Sequence, residues 1–181
     1  MTIAFRTGNG RDWLDLLATN EGRYRAVQHD TISSPHALRA WLRSKDIEPT
    51  GRVGVDDVGY VAEARETMHR LAVAGVTGHS PAAGDVRHLD RLLAADAALR
   101  LTGGATSVRV RRPVTVAQAV GRLAREAVGD LAGRGPGTLR ACGDDTCSGI
   151  FLDTTGRRRW CSDERCGNRM RVRAHRARAE V

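Results

Sequence analysis

Four cysteines, Cys142, Cys147, Cys161 and Cys166, are the only ones in the 181-residue chain, and they stand as C-x4-C-x13-C-x4-C. Each pair encloses a loop that can wrap a tetrahedral ion, and the two pairs meet if the segment between them folds back on itself. The spacing predicts one structural Zn2+ held by four thiolates. Such a closed shell leaves no open coordination position, so the metal would build structure instead of performing chemistry. The competing chemistry is two disulfides, for which four cysteines allow three pairings. The first eight residues hold no apolar core of the length a secretory signal requires, and no later run is long enough to span a bilayer. A cytoplasmic, reducing compartment and no membrane partner are therefore expected, and thiols there stay available for metal.

Other groups with catalytic chemistry are scattered. His29, His36, His69, His79 and His88 show no H-E-x-x-H or other short ligand spacing, and His175 is surplus to a filled tetrahedron. Asp56 and Asp57 sit where a helix begins, a position in which acids complement the helix dipole. The glycines around Asn9 and Arg52 do not run on to a Gly-Lys-Ser/Thr helix start, so no phosphate loop is completed. No catalytic residue is assigned, and the expectation is a protein that is not an enzyme.

The elements that position the cysteines can be read next. Residues 149–153 are strand-like, Thr154-Thr155-Gly156 is turn-like, and residues 157–160 return toward the second cysteine pair. A helix follows Cys166, giving a treble-clef-like order of knuckle, hairpin, second knuckle and helix. At ~100° per residue, Met170, Ala174, Ala177 and Val181 share the Cys166 side as a packing stripe, with Arg165, Arg169, Arg173 and Arg176 beside it.

Upstream, Ser34-Pro35, Ser80-Pro81 and Thr115 are helix starts, because a hydroxyl caps orphan amides and proline suits the first helical position. Apolar residues recur at helical spacing in four runs, centred on Leu38 and Trp41, on Val61 and Met68, on Leu89 and Leu92, and on Val120 and Leu123. With Leu14 and Leu17 they predict five helices around one core. Residues 98–102 and 107–111 alternate about a Gly103-Gly104 turn and predict one β-hairpin. The fold class is mainly α (α+β). The glycine-rich stretch after Ala132 divides it into a helical domain 1–132, a linker 133–138 suited to a hinge, and a finger 139–181. Trp13 and Trp41 read as buried core.

The segment Cys161-Ser162-Asp163-Glu164-Arg165-Cys166-Gly167-Asn168-Arg169, preceded by Phe151-Leu152-Asp153 and Arg158-Arg159-Trp160, resembles the CGNR zinc-finger family. In that family the finger follows a larger ABATE-type domain. Leu14 to Asn20, His29-Asp30, Ser34-Pro35 and Trp41-Leu42 resemble that domain more loosely, with Ala18-Thr19 where Asn-Thr is typical. The resemblance implies a bacterial, stress-linked transcription regulator that binds DNA.

Charge supports a polyanionic partner, at a net +8. Residues 134–181 hold eleven arginines against six acids, so charge density peaks in the finger, although a zinc tetrathiolate subtracts about two units. The chain uses 28 arginines and one lysine, a pattern of GC-rich coding that makes arginine alone uninformative. From Arg165 onward, however, there are six arginines and one acid, Glu180. Aromatics for base stacking are scarce, which favours duplex over single-stranded DNA. The expected contacts are Arg157, Arg158, Arg159, Arg165, Arg169, Arg171, Arg173, Arg176 and Arg178. On this reading the helical domain senses a small-molecule effector or forms a homodimer. The alternative is a protein-interaction adaptor whose finger is purely structural.

Overall fold

The structure is a computed structural model that describes residues 4–103 and 107–179. Gly104 of the expected hairpin turn, Glu180 and Val181 lie outside the described residues. Five helices form the N-terminal part: α1 (Asp12–Leu17), α2 (Pro35–Ser44), α3 (Val55–Thr77), α4 (Ala83–Ala94) and α5 (Val116–Leu131). Ser34 caps α2 through the Ala37 amide and Thr115 caps α5 through the Gln118 amide, as their sequence positions predict. At α3, the Asp57 carboxylate accepts from the Gly54 amide at 2.8 Å. The Ser80-Pro81 start fails: α4 begins two residues later, behind Ala82 and without a side-chain cap. No helix among the described residues is long and apolar enough to cross a membrane.

Helix α3 is the spine, packed against α1, α2, α4 and α5. Trp13, Leu14, Leu38, Trp41, Met68, Val120 and Leu123 are buried in one core. Trp13 and Trp41 are core residues, as expected, and the Trp13 indole donates to Asp130 at 2.7 Å. Three two-stranded antiparallel sheets decorate the helices. β1 (Asn20–Glu21) pairs with β2 (His29–Asp30), a hairpin too short to leave a periodic signal in sequence. β3 (Leu101–Gly103) pairs with β4 (Val108–Val110) in the anticipated hairpin. This ribbon stands away from the core, with Leu99, Leu101 and Val110 about half exposed or more.

The third sheet joins the two halves. β5 (Thr138–Ala141) pairs with β6 (Ile150–Asp153) in the register Leu139 to Leu152 and Ala141 to Ile150. The partner of residues 150–153 is therefore upstream of the first cysteine. Residues 157–160, expected to return as its strand, form no strand; the Gly143 amide donates to the Arg159 carbonyl at 2.9 Å. β6 is buried on both faces because successive side chains point oppositely. Ile150 and Leu152 enter the helical core, whereas Phe151 enters the cysteine cluster. The Leu152 amide donates to the Asn9 carbonyl at 2.8 Å, and the sheet rests on α1, α3 and α5. The glycine-rich stretch after α5 leads directly into this anchored strand.

A second tie joins α2 to the segment between β4 and α5. Glu48, after α2, accepts from Arg39 at 3.0 Å and Arg43 at 2.9 Å, and pairs with Arg112 at 3.0 Å. The Arg43 hydrogen bonds, with help from Arg39 and Arg112 and against burial, draw its carboxyl from 4.5 to about 2. A depressed carboxyl stabilises the fold above its unfolded value and loses that contribution as pH falls toward the folded one. Glu48→Gln should therefore lower stability at neutral pH and flatten the acid limb between pH 4.5 and about 2; an unchanged acid limb in pH-dependent denaturation would contradict it. Because β6 is shared, Leu152→Ala should cost about 2–5 kcal/mol in a single cooperative urea transition. Two transitions, with the helical one unmoved, would show the halves to be independent.

Candidate metal centre

Cys142 follows β5, Cys147 closes the first loop, Cys161 precedes a π-helical turn (Asp163–Gly167), and Cys166 lies within that turn. Ser162 starts that turn: its hydroxyl accepts from the Arg165 amide at 3.2 Å, and its carbonyl accepts from Cys166 at 2.9 Å and Gly167 at 3.1 Å. The wide turn brings Cys166 back under Cys161. Gly149 is required where the chain passes the sulfurs, since a Cβ there would lie 2.8 Å from Cys161 Sγ and 3.2 Å from Cys147 Sγ.

All four Sγ atoms lie within 4.8 Å of one another, with Cys147 and Cys166 each 3.6 Å from Cys161. A zinc tetrahedron with ordinary Zn–S bonds has sulfurs about 3.8 Å apart, so the spacing fits. All four cysteines are free, which disposes of the disulfide reading. Their ionisation also calls for a cation. Burial and the charge of Cys147 push the Cys166 thiol up to about 12, and hydrogen bonding to Cys142 and Cys147 pushes Cys161 up as well. Cys147 moves the other way, lowered by hydrogen bonds from Cys142 and Cys161, and a metal ion between the four sulfurs would relieve the repulsion among their thiolates.

The sulfurs receive hydrogen bonds from both halves of the chain. The Gly149 amide donates to Cys147 Sγ at 3.3 Å, and the Cys161 amide to Cys142 Sγ at 3.5 Å. Arg169 donates to Cys166 Sγ at 3.4 Å, and Arg6, far upstream, to Cys161 Sγ at 3.2 Å. Arg169 also donates from Nε to Asp144 at 2.6 Å. Asp144 is fully buried; burial raises its carboxyl, but hydrogen bonds from Thr146 and Arg169 outweigh this and hold it below the usual range. Across the boundary, Arg158 donates to the Gly8 carbonyl at 3.0 Å and Arg165 to Glu21 at 3.0 Å. Burial holds the imidazole of His69, on α3, down at about 4, only partly opposed by the Ser148 main chain.

Of the nine arginines expected on DNA, five are engaged within the chain. Arg158 stacks over Phe151 at 4.5 Å and donates to the carbonyls of Trp160 and Cys161. Arg165 binds Glu21, Arg169 binds Asp144, Arg171 binds Asp163 at 3.0 Å, and Arg173 binds Asp145 at 2.9 Å. Arg157, Arg159, Arg176 and Arg178 form no ion pair among the described residues, and Arg159 lies over Trp160 at 5.2 Å. Helix α6 (Asn168–Ala179) buries no residue. The packing stripe does not form: Met170 is partly buried, Ala174 and Ala177 are exposed, and Val181 is not described. Alanine methyls offer too little apolar area to hold a helix down.

His29 is exposed, while its neighbour Asp30 accepts from Arg65 at 2.9 and 2.6 Å. Arg65 also donates to Thr19 at 2.8 Å, so the Ala18-Thr19 and His29-Asp30 stretches meet over a buried arginine. Sequence reading missed Arg6, Arg65 and Asp144. Only Asp144, inside the first cysteine loop, carries a local signal.

Two family models match the chain. One, described as "CGNR zinc finger", covers residues 138–179. The other, ABATE, described as "Putative stress-induced transcription regulator", covers residues 10–135. No curated protein and no solved structure matches. Because the metal's binding energy is folding energy for the loops around it, Cys161→Ser should abolish stoichiometric metal and lower the melting temperature. Elemental analysis still finding one ion per chain would refute that.

Proposed function

The chain belongs to the ABATE family and ends in a CGNR zinc finger, and on that premise we propose that it is a transcription regulator whose finger, braced by one structural Zn2+, contacts duplex DNA through α6. The observation that carries this reading is the exposure of α6. Every residue from Arg171 to Ala179 is exposed, and Arg176 and Arg178 on its outer turns have no ion-pair partner among the described residues. An unpacked helix with uncommitted guanidinium groups suits phosphate contacts along a duplex groove. Arg157 and Arg159, exposed on the loop before Cys161, add two more guanidinium groups without an ion pair among the described residues.

Zinc is the ion of choice for four thiolates in tetrahedral array, and its task would be to fix the start of α6. Arg169, Arg171 and Arg173 support the finger from within, and Arg158 and Arg165 tie it to Gly8 and Glu21. One observation favours the adaptor alternative: five of the nine expected DNA contacts, Arg158, Arg165, Arg169, Arg171 and Arg173, are already bound by acceptors within the chain.

Salt dependence separates the two. With four uncommitted arginines, log K for duplex DNA should fall against log salt with a slope of about 3–4, and Arg176→Gln/Arg178→Gln should reduce that slope by about 2. No retention on DNA at low salt, or a slope unmoved by the double substitution, would leave the adaptor.

A further inference from the structure

A second concentration of arginine lies at the base of the β3–β4 ribbon. Arg100, Arg111, Arg112 and Arg122 line a cavity of about 280 Å³ with Gln118 and Pro113, and no carboxylate among the described residues lines it. Arg112 is committed to Glu48. Arg100 and Arg111 are exposed and make no ion pair among the described residues. Arg122 donates from Nη2 to the Arg111 carbonyl at 2.6 Å, but its Nε is buried without a partner. A buried guanidinium N–H without an acceptor is costly, more so than a neutral donor.

Several acceptors beside this cavity are already taken, and the carboxylate of Asp96, next in sequence to the lining residue Ala97, pairs with Arg125. The Arg100 carbonyl accepts from the Arg111 amide at 2.7 Å, and the Pro113 and Val114 carbonyls accept from the Thr50 and Gly51 amides at 2.9 Å. The Gln118 side-chain oxygen accepts from the Val114 amide at 2.7 Å, leaving its NH2 group as a donor. The arginine side chains and the Gln118 NH2 group place donors and positive charge beside the first turn of α5, whose dipole adds to the same sign.

We propose that this cavity binds a compact phosphate-bearing small molecule. Guanidinium forks match phosphate oxygens, and three arginines without a carboxylate partner exceed what one carboxylate would neutralise. The site is concave and faces the N-terminal end of α5, whereas β5 follows from its C-terminal end. It gives a ligand class to a sensing role for the helical domain, and it stands whether or not α6 contacts DNA.

The probe is pyrophosphate, titrated calorimetrically into the full-length, metal-loaded protein at fixed ionic strength. Saturable 1:1 binding is expected, weakened by about tenfold or more in Arg100→Gln/Arg111→Gln, with circular dichroism and metal content unchanged. Arg122→Gln should weaken it in the same direction, and Arg176→Gln/Arg178→Gln should leave it intact. Absence of saturable binding, or undiminished binding in the Arg100/Arg111 variant, would overturn the proposal. So would equal loss in the α6 variant together with displacement by duplex DNA, since that would make the signal general phosphate attraction.

Discussion

Four thiolates around one divalent ion would carry a formal charge of about −2, and with Cys142, Cys161 and Cys166 buried and Cys147 partly so, the C-terminal part of the chain is arranged to shield such a charge from water. Two main-chain amides and two guanidinium groups meet the sulfurs. The guanidinium groups come from opposite ends of the chain, Arg169 beside the last ligand and Arg6 before the first helix. Arg169 acts twice, since it binds Cys166 Sγ and the buried Asp144 carboxylate. The arginine of the CGNR tetrapeptide is thus a counter-ion that locks the start of α6 to the first cysteine loop. Outer partners of this kind orient metal ligands and tune their charge.

The same constraint explains why the finger is not a free appendage. A metal cluster of four cysteines, Phe151 and Trp160 is small, and a small cluster cannot by itself bury both faces of a strand. β6 therefore serves two cores at once, with Phe151 toward the metal and Ile150 and Leu152 toward the helices. Arg6, Arg158 and Arg165 close the boundary with hydrogen bonds to Cys161, Gly8 and Glu21. A change at the metal reaches α1 and α3 through shared side chains, without requiring the glycine-rich stretch to hinge.

Local chemistry was legible in the sequence and long-range pairing was not. The cysteine spacing identified the ligand cluster, hydroxyl caps placed α2 and α5, and apolar periodicity found five helices. The partner of β6 was misplaced because proximity favours a hairpin across Thr154-Thr155-Gly156. Packing instead favours Leu139, whose side chain meets the helical core beside Leu152. Arg65 was invisible for a similar reason. Its acceptors, Thr19 and Asp30, lie 46 and 35 residues away, and an arginine on a long helix reads by default as a solvated surface group. The α6 stripe failed because periodicity records where apolar groups fall, not whether they have enough area to bury.

Net charge is a poor guide to where a polyanion would sit on this molecule, because most of the finger's cations face an acceptor inside the fold. Among the arginines left without an ion pair in the described residues, two groups stand in places of different shape. The outer turns of α6 are convex, so guanidinium groups there can follow a long array of phosphates, in an interaction dominated by counterion release. The base of the β3–β4 ribbon is concave and lacks a carboxylate wall among the described residues, so it favours a compact anion that several donors enclose together. Helix α5, of 16 residues and thus about 24 Å long, runs between the cavity at its first turn and the finger strand beyond its last. Curvature, more than the sum of charges, therefore decides which anion each set of arginines can hold.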